Sequence, residues 1–194
     1  MMAILDGVPI GRNRPAGFFR HRVVPDDRDR VRAMVESTGF FSPEEADVAV
    51  ELVDERLAKG AASGYEFVFA QIDAETVGYA CFGRIPATRS SFDLYWVAVR
   101  GGQQRSGLGR ALLEEVERRV REMGGGRIYA DTSGREQYAP TRAFYKAMGY
   151  AQAAVLPDFF APGDDKVIFV KPVISPASSA RRDTGCSGSR AGPT

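Results

Sequence analysis

A strand, a glycine-rich loop and a helix follow one another in residues 92–123, and no other stretch constrains the chain as much. "FDLYWVAV" (92–99) reads as a strand. "RALLEEVERRVREM" (110–123), with Leu108 just before it, reads as a helix with Leu108, Leu112, Val116, Val120 and Met123 on one stripe. Between them lie Gly101, Gly102, Gly107 and Gly109. Glycine is costly in regular structure, so the cluster points to something approaching the backbone closely. A strand turning through glycines into a helix also builds an anion site. The first N–H groups of the helix have no intrahelical partner, and the helix dipole favours negative charge there.

Three phosphate-binding patterns compete for this loop. The dinucleotide fingerprint needs a third glycine where Leu112 stands. The P-loop spacing is met by Gly102 and Gly107, but Leu108 and Gly109 replace the required Lys-Ser/Thr. The third pattern, Gln/Arg-x-x-Gly-x-Gly/Ala, is met by Gln104, Gly107 and Gly109. On the loop alone, a plain glycine turn before a surface helix competes evenly with it.

The flanking elements read as follows. Residues 18–24, "FFRHRVV", alternate like a first strand, with His21 facing solvent. Residues 25–38 and 42–60 read as helices. In the second, Ser42 caps, Pro43 suits the first turn, Glu45 closes a capping box and Gly60 ends the helix. Strands are expected at 65–72, 76–85, 126–133 and in the last two runs, "YAQAAVLPDF" and "KVIFVKP". A short helix, "YAPTRAFYKAMG" (138–149), precedes them. Glu114 with Arg118, and Glu117 with Arg121, are expected as i,i+4 pairs on an outer helix face.

The loop, the following helix, the strand and "FYKAMGY" together resemble the GNAT acyl-CoA N-acyltransferases over residues 18–172. In pattern they are nearest the ribosomal-protein alanine acetyltransferase branch. The resemblance implies an α+β (mixed α/β) fold: a central, mostly antiparallel sheet of about seven strands flanked by about four helices. A splayed parallel strand pair, here 92–99 and 126–133, holds the cofactor. It implies an acetyl-CoA-dependent N-acetyltransferase in which a primary amine attacks the thioester directly. Gln104, Arg105, Ser106, Gly107, Leu108, Gly109 and Arg110 would take the pyrophosphate. Backbone at Val97 and Val99 would pair with the pantetheine amides, and Thr141 would touch the cofactor.

By the same resemblance Tyr145 is the general acid for the departing thiol. Asp131 stands where that branch carries a glutamate, so proton relay through water is expected of it; Asp93 is the second candidate base. The acceptor side is expected in the turn "TGFFS" (38–42) and the loop "LPDFFAPGDDK" (156–166), where Asp158, Asp164 and Asp165 lie beside Phe159 and Phe160. A solvated acidic turn is the competing reading. A non-catalytic acyl-CoA sensor on the same fold is the competing function.

Composition bounds the partners. A net charge of +1 predicts no bulk attraction to nucleic acid or membrane. Two distant cysteines and the single His21 make neither a disulfide nor a metal site. The expected partner is a small-molecule or peptide amine, and the expected form a cytoplasmic monomer or homodimer. Residues 1–17 read as a flexible arm, 18–173 as the domain and 174–194, rich in Ser, Arg and Gly, as a disordered tail. Truncation after Val173 is expected to leave melting temperature and turnover unchanged; a fall of many degrees would show that the tail docks.

Overall fold

The computed structural model describes residues 18–102 and 106–173. The arm, the tail, Gln104 and Arg105 lie outside them. The elements run β1 (Phe19–Arg20), α1 (Asp27–Ser37), α2 (Pro43–Lys59), β2 (Tyr65–Ile72), β3 (Glu75–Arg84), β4 (Ser91–Val99), α3 (Leu108–Glu122), β5 (Arg127–Ser133), α4 (Ala139–Ala147), β6 (Ala151–Ala161) and β7 (Asp164–Pro172). One sheet of seven strands has the order β1-β2-β3-β4-β5-β7-β6. Neighbours are antiparallel except β4 and β5, which are parallel.

Strand alternation sends side chains to two cores. Phe67, Phe69, Tyr79, Cys81, Trp96 and Ala98 meet Val31, Met34, Val35, Ala46, Ala49 and Val53 of α1 and α2. On the other face Val68, Ala80, Phe82, Val97 and Val99 meet Leu112, Val116 and Val120 of α3, and the same core continues to Tyr145 and Phe169. The α2 capping box forms as expected: Ser42 Oγ accepts from the Glu45 N–H, and Glu45 accepts from the Ser42 N–H.

Three local expectations change. The first strand stops at Arg20 because the chain then wraps a buried carboxylate. Asp27, fully buried, accepts from both Arg20 Nη atoms at 2.8 and 2.7 Å and from the Val24 N–H at 2.8 Å. His21 does not simply face solvent: its Nε2 lies 2.8 Å from Glu115 Oε1. Glu117 does not pair with Arg121 on an outer face. It is buried, and its Oε1 meets Lys171 Nζ at 2.7 Å, while the same ammonium donates to the Met148 carbonyl at 2.7 Å.

Lys171 therefore joins α3, the end of α4 and β7. Removing it leaves a carboxylate buried without its cation. Lys171→Ala is expected to cost about 2–3 kcal/mol, read as a shift of the urea midpoint at constant slope. A change within error would mean that Glu117 rehydrates freely.

Candidate functional site

The parallel pair is short. β4 and β5 match from Ser91↔Arg127 to Leu94↔Ala130 and then separate. β5 continues beside β7, and β4 continues beside β3, so each keeps one partner while the gap between them opens. The Arg100 N–H donates to Val77 O at 2.9 Å, which fixes the alternation along this part of β4. With Ala80↔Val97 and Gly78↔Val99 in register, Val97 and Val99 occupy positions whose N–H and C=O turn away from β3. Those backbone groups face the splay. Their side chains are buried under α3.

A short loop beyond Val99 leads to the helix start. Gly107 is the N-cap of α3, with φ 78° and ψ 2°, a left-handed conformation that L side chains resist. No side chain caps this end. The first helical bond is Ala111 N–H to Gly107 O at 3.0 Å, so the N–H groups of Leu108, Gly109 and Arg110 have no intrahelical acceptor. The Arg110 side chain is exposed, 4.0 Å from Glu114. Gly101 serves a different need. A Cβ there would stand 2.7 Å from the Ser37 carbonyl, and its N–H donates to Ser37 Oγ at 3.0 Å. At Gly101, then, the close approach is made by the end of α1.

Among the orphaned buried hydroxyls are one on β5, the strand that borders the splay, and one on α4, the helix that follows it. Thr132 of β5 and Thr141 of α4 are fully buried, and neither Oγ1 has a hydrogen-bond partner among the described residues. Such groups are rare in folded proteins and call for a ligand or a water. One turn after Thr141, Tyr145 is 1% exposed and packs its ring against Tyr150 and Phe169, with centroids 5.4 and 5.3 Å away. Burial pushes its hydroxyl well above the ordinary tyrosine range, and the neighbouring Tyr150 and Asp131 add to the rise. It holds its proton throughout the neutral range.

Asp131 lies on the opposite face of β5 from Thr132. Beyond the cover of α1 and α2, a cavity of about 320 Å³ opens on this face, lined by Asp93, Tyr129, Asp131, Lys166, Ile85 and Ile168, among others. Lys166 Nζ meets Asp131 Oδ2 at 2.9 Å and sits 4.7 Å from the Phe159 ring centroid. Burial raises the Asp93 carboxyl; Asp131 adds to that and Lys166 opposes it. The two candidate bases thus share one cavity.

The expected acidic loop is largely strand. β6 reaches Ala161 and turns tightly into β7. Its carboxylates serve the hairpin: Asp158 accepts from the Gly163 N–H at 2.6 Å, Asp165 from the Asp158 N–H at 3.0 Å, and Asp164 is buried against Ser133 and Arg135. In the turn between α1 and α2, Phe41 packs on Trp96 and the Phe40 ring lies 6.4 Å from that of Tyr138. Sequence reasoning missed Lys166 and Thr132. Lys166 shares a strand face with Ile168, but only the β5–β7 register shows that this face borders Asp131.

The Acetyltransferase (GNAT) family model matches residues 16–150. A crystal structure of a GNAT-family protein from Desulfovibrio desulfuricans is 56% identical, with a TM-score of 0.79, covering 80% of this chain and 98% of that one. An aminoglycoside 6'-N-acetyltransferase complexed with coenzyme A shares 22% identity at a TM-score of 0.66, covering 81% and 97%. The Escherichia coli ribosomal-protein-S18-alanine N-acetyltransferase shares 18% at 0.61, covering 80% and 94%. Comparison with curated protein sequences finds no match.

Proposed function

The chain belongs to the GNAT acetyltransferase family, and from that membership we propose that it transfers an acetyl group from acetyl-CoA to a primary amine by direct attack in a ternary complex. The observation that carries the reading is the splay itself. It presents unpaired backbone at Val97 and Val99 beside two orphaned hydroxyls, and a helix start with free N–H groups lies just beyond. These are the donors and acceptors that an extended chain bearing two amides and a pyrophosphate requires.

Bound acetyl-CoA supplies the activated thioester. Backbone at Val97 and Val99 pairs with the pantetheine amides as an added strand would. An N–H of this segment also donates to the thioester oxygen as charge develops on it. The N–H groups of Leu108, Gly109 and Arg110 take the pyrophosphate, with Arg110 adding charge. By the loop pattern Gln104, Arg105 and Ser106 complete that cradle. Thr141 and Thr132 satisfy their hydroxyls on the same ligand.

Proton traffic falls to two residues. An alkylammonium of pKa about 10.4 must first lose a proton. Asp131 receives it, through water because aspartate is short. The free amine forms the new C–N bond, the C–S bond breaks, Tyr145 donates its proton to the sulfur, and the second proton that the nitrogen sheds on becoming an amide returns through water to the Tyr145 oxygen. Burial keeps Tyr145 protonated at neutral pH, so the proton it is to donate is in place.

The test is release of free coenzyme A from acetyl-CoA with and without a panel of primary amines. Amine-dependent release is expected. Acetyl-CoA binding without amine-dependent release would instead identify a sensor module.

A further inference from the structure

The cavity on the Asp131 face has features that narrow the acceptor. Its size, about 320 Å³, lies at the small end of ligand pockets, which run from about 300 to 1,000 Å³. Where its floor is the paired stretch Ser91–Leu94 of β4 and Arg127–Ala130 of β5, both strands have a neighbour on each side, and free backbone begins only beyond it, in the splay that acetyl-CoA takes in the acetyltransferase reading. An extended peptide therefore finds no edge of that floor left to pair with.

Its charge is also limited. Asp93 and Asp131 bring two carboxylates and Lys166 one ammonium, which already pairs with Asp131. One negative charge is left for a ligand. Asp158, Asp164 and Asp165 do not line the cavity: Asp164 pairs with Arg135, and Asp158 and Asp165 accept from N–H groups of the β6–β7 hairpin. The remaining wall is apolar at Ile85, Ala130 and Ile168, aromatic at Tyr129 and hydroxylic at Thr88 and Ser91, with the Thr88 hydroxyl already donating to the Ile85 carbonyl; Phe159, 53% exposed, extends it through Lys166.

Resting on the acetyltransferase reading, we infer that the acceptor is a small apolar monoamine, its ammonium held between Asp93 and Asp131 and its body against Ile85, Ile168 and Tyr129. A polycation finds one unmatched charge and a largely apolar wall for its other ammonium groups, which lose water without gaining an anionic partner. An apolar body loses nothing of that kind and buries surface. Asp93 is the natural ammonium holder, since it lacks the lysine that Asp131 has.

The experiment compares kcat/KM of the full-length chain for 2-phenylethylamine, spermidine, kanamycin and an alanyl peptide, with acetyl-CoA affinity measured separately. 2-Phenylethylamine is expected to exceed each of the others at least about tenfold, the ratio set by one unmatched charge. Equal or better use of any other acceptor, including turnover of another acceptor with none of 2-phenylethylamine, overturns this inference alone. Absence of acetyl-CoA binding, or binding with no turnover of any amine, overturns the acetyltransferase reading with it. Lys166→Met, at a side chain 23% exposed, frees a second negative charge. The spermidine-to-phenylethylamine ratio should then rise about tenfold; an unchanged ratio overturns the charge count behind the inference.

Discussion

Tyr145→Phe is expected to lower turnover by roughly 10²–10⁴-fold, the range for loss of a positioned general acid, when thiol departure limits the rate. Acetyl-CoA affinity should stay unchanged, because the ring and its packing against Tyr150 and Phe169 remain. A hydroxyl that acts only as the C–S bond breaks contributes to the transition state and not to ground-state binding. The sign of the pH effect follows from burial. Burial disfavours the phenolate, so deprotonation moves above the ordinary value of about 10. Any alkaline limb set by Tyr145 therefore begins above that value, and it vanishes in the phenylalanine variant. Near-normal turnover would make water the proton donor. Lost affinity with normal turnover at saturation would make Tyr145 a binding residue.

Gly107→Val should weaken acetyl-CoA binding roughly 10²-fold, about 2.7 kcal/mol, with helix content preserved. The N-cap of α3 sits at φ 78°, and a β-branched residue cannot hold that angle without strain. The loop relaxes, and the first-turn N–H groups lose their aim at the pyrophosphate. Gly109→Val acts by bulk alone, within the buried first turn of α3. Calorimetric titration of each variant checks this, with circular dichroism as the control on folding. Unchanged affinity in both would remove the loop from the binding site.

The difference between what the sequence shows and what it hides is one of range. The capping box of α2 and the stripe of α3 are local, written in residues three or four apart, and both form as read. The parallel pair is expected from the family resemblance, and it forms with α3 as the crossover between its strands. The partners of charged side chains are different. Glu117 stands on a helix with Arg121 one turn away, yet it is drawn to Lys171, 54 residues further on. His21 meets Glu115 across 94 residues. Burial decides these pairings, and burial depends on which strand lies under which helix.

The site divides the same way. Tyr145 and Asp131 stand out as candidates in the sequence because each sits in a segment that matches the family pattern. Thr132 is an ordinary strand threonine until its Oγ1 is found buried without a partner. The acidic residues near Phe159 read in the sequence as either a cation site or a solvated turn, and in the structure the hairpin and Arg135 take up their oxygens. The glycines divide too: Gly107 shapes the helix start, while Gly101 admits the end of α1.

The central claim is that the β4–β5 splay and the start of α3 hold acetyl-CoA. Calorimetric titration of the full-length chain with acetyl-CoA, and separately with ATP, tests it most directly. Acetyl-CoA should bind at one site per chain, ATP should bind far more weakly, and Gly107→Val should remove most of the acetyl-CoA affinity. Equal affinity for ATP, or acetyl-CoA binding that Gly107→Val leaves intact, would contradict it.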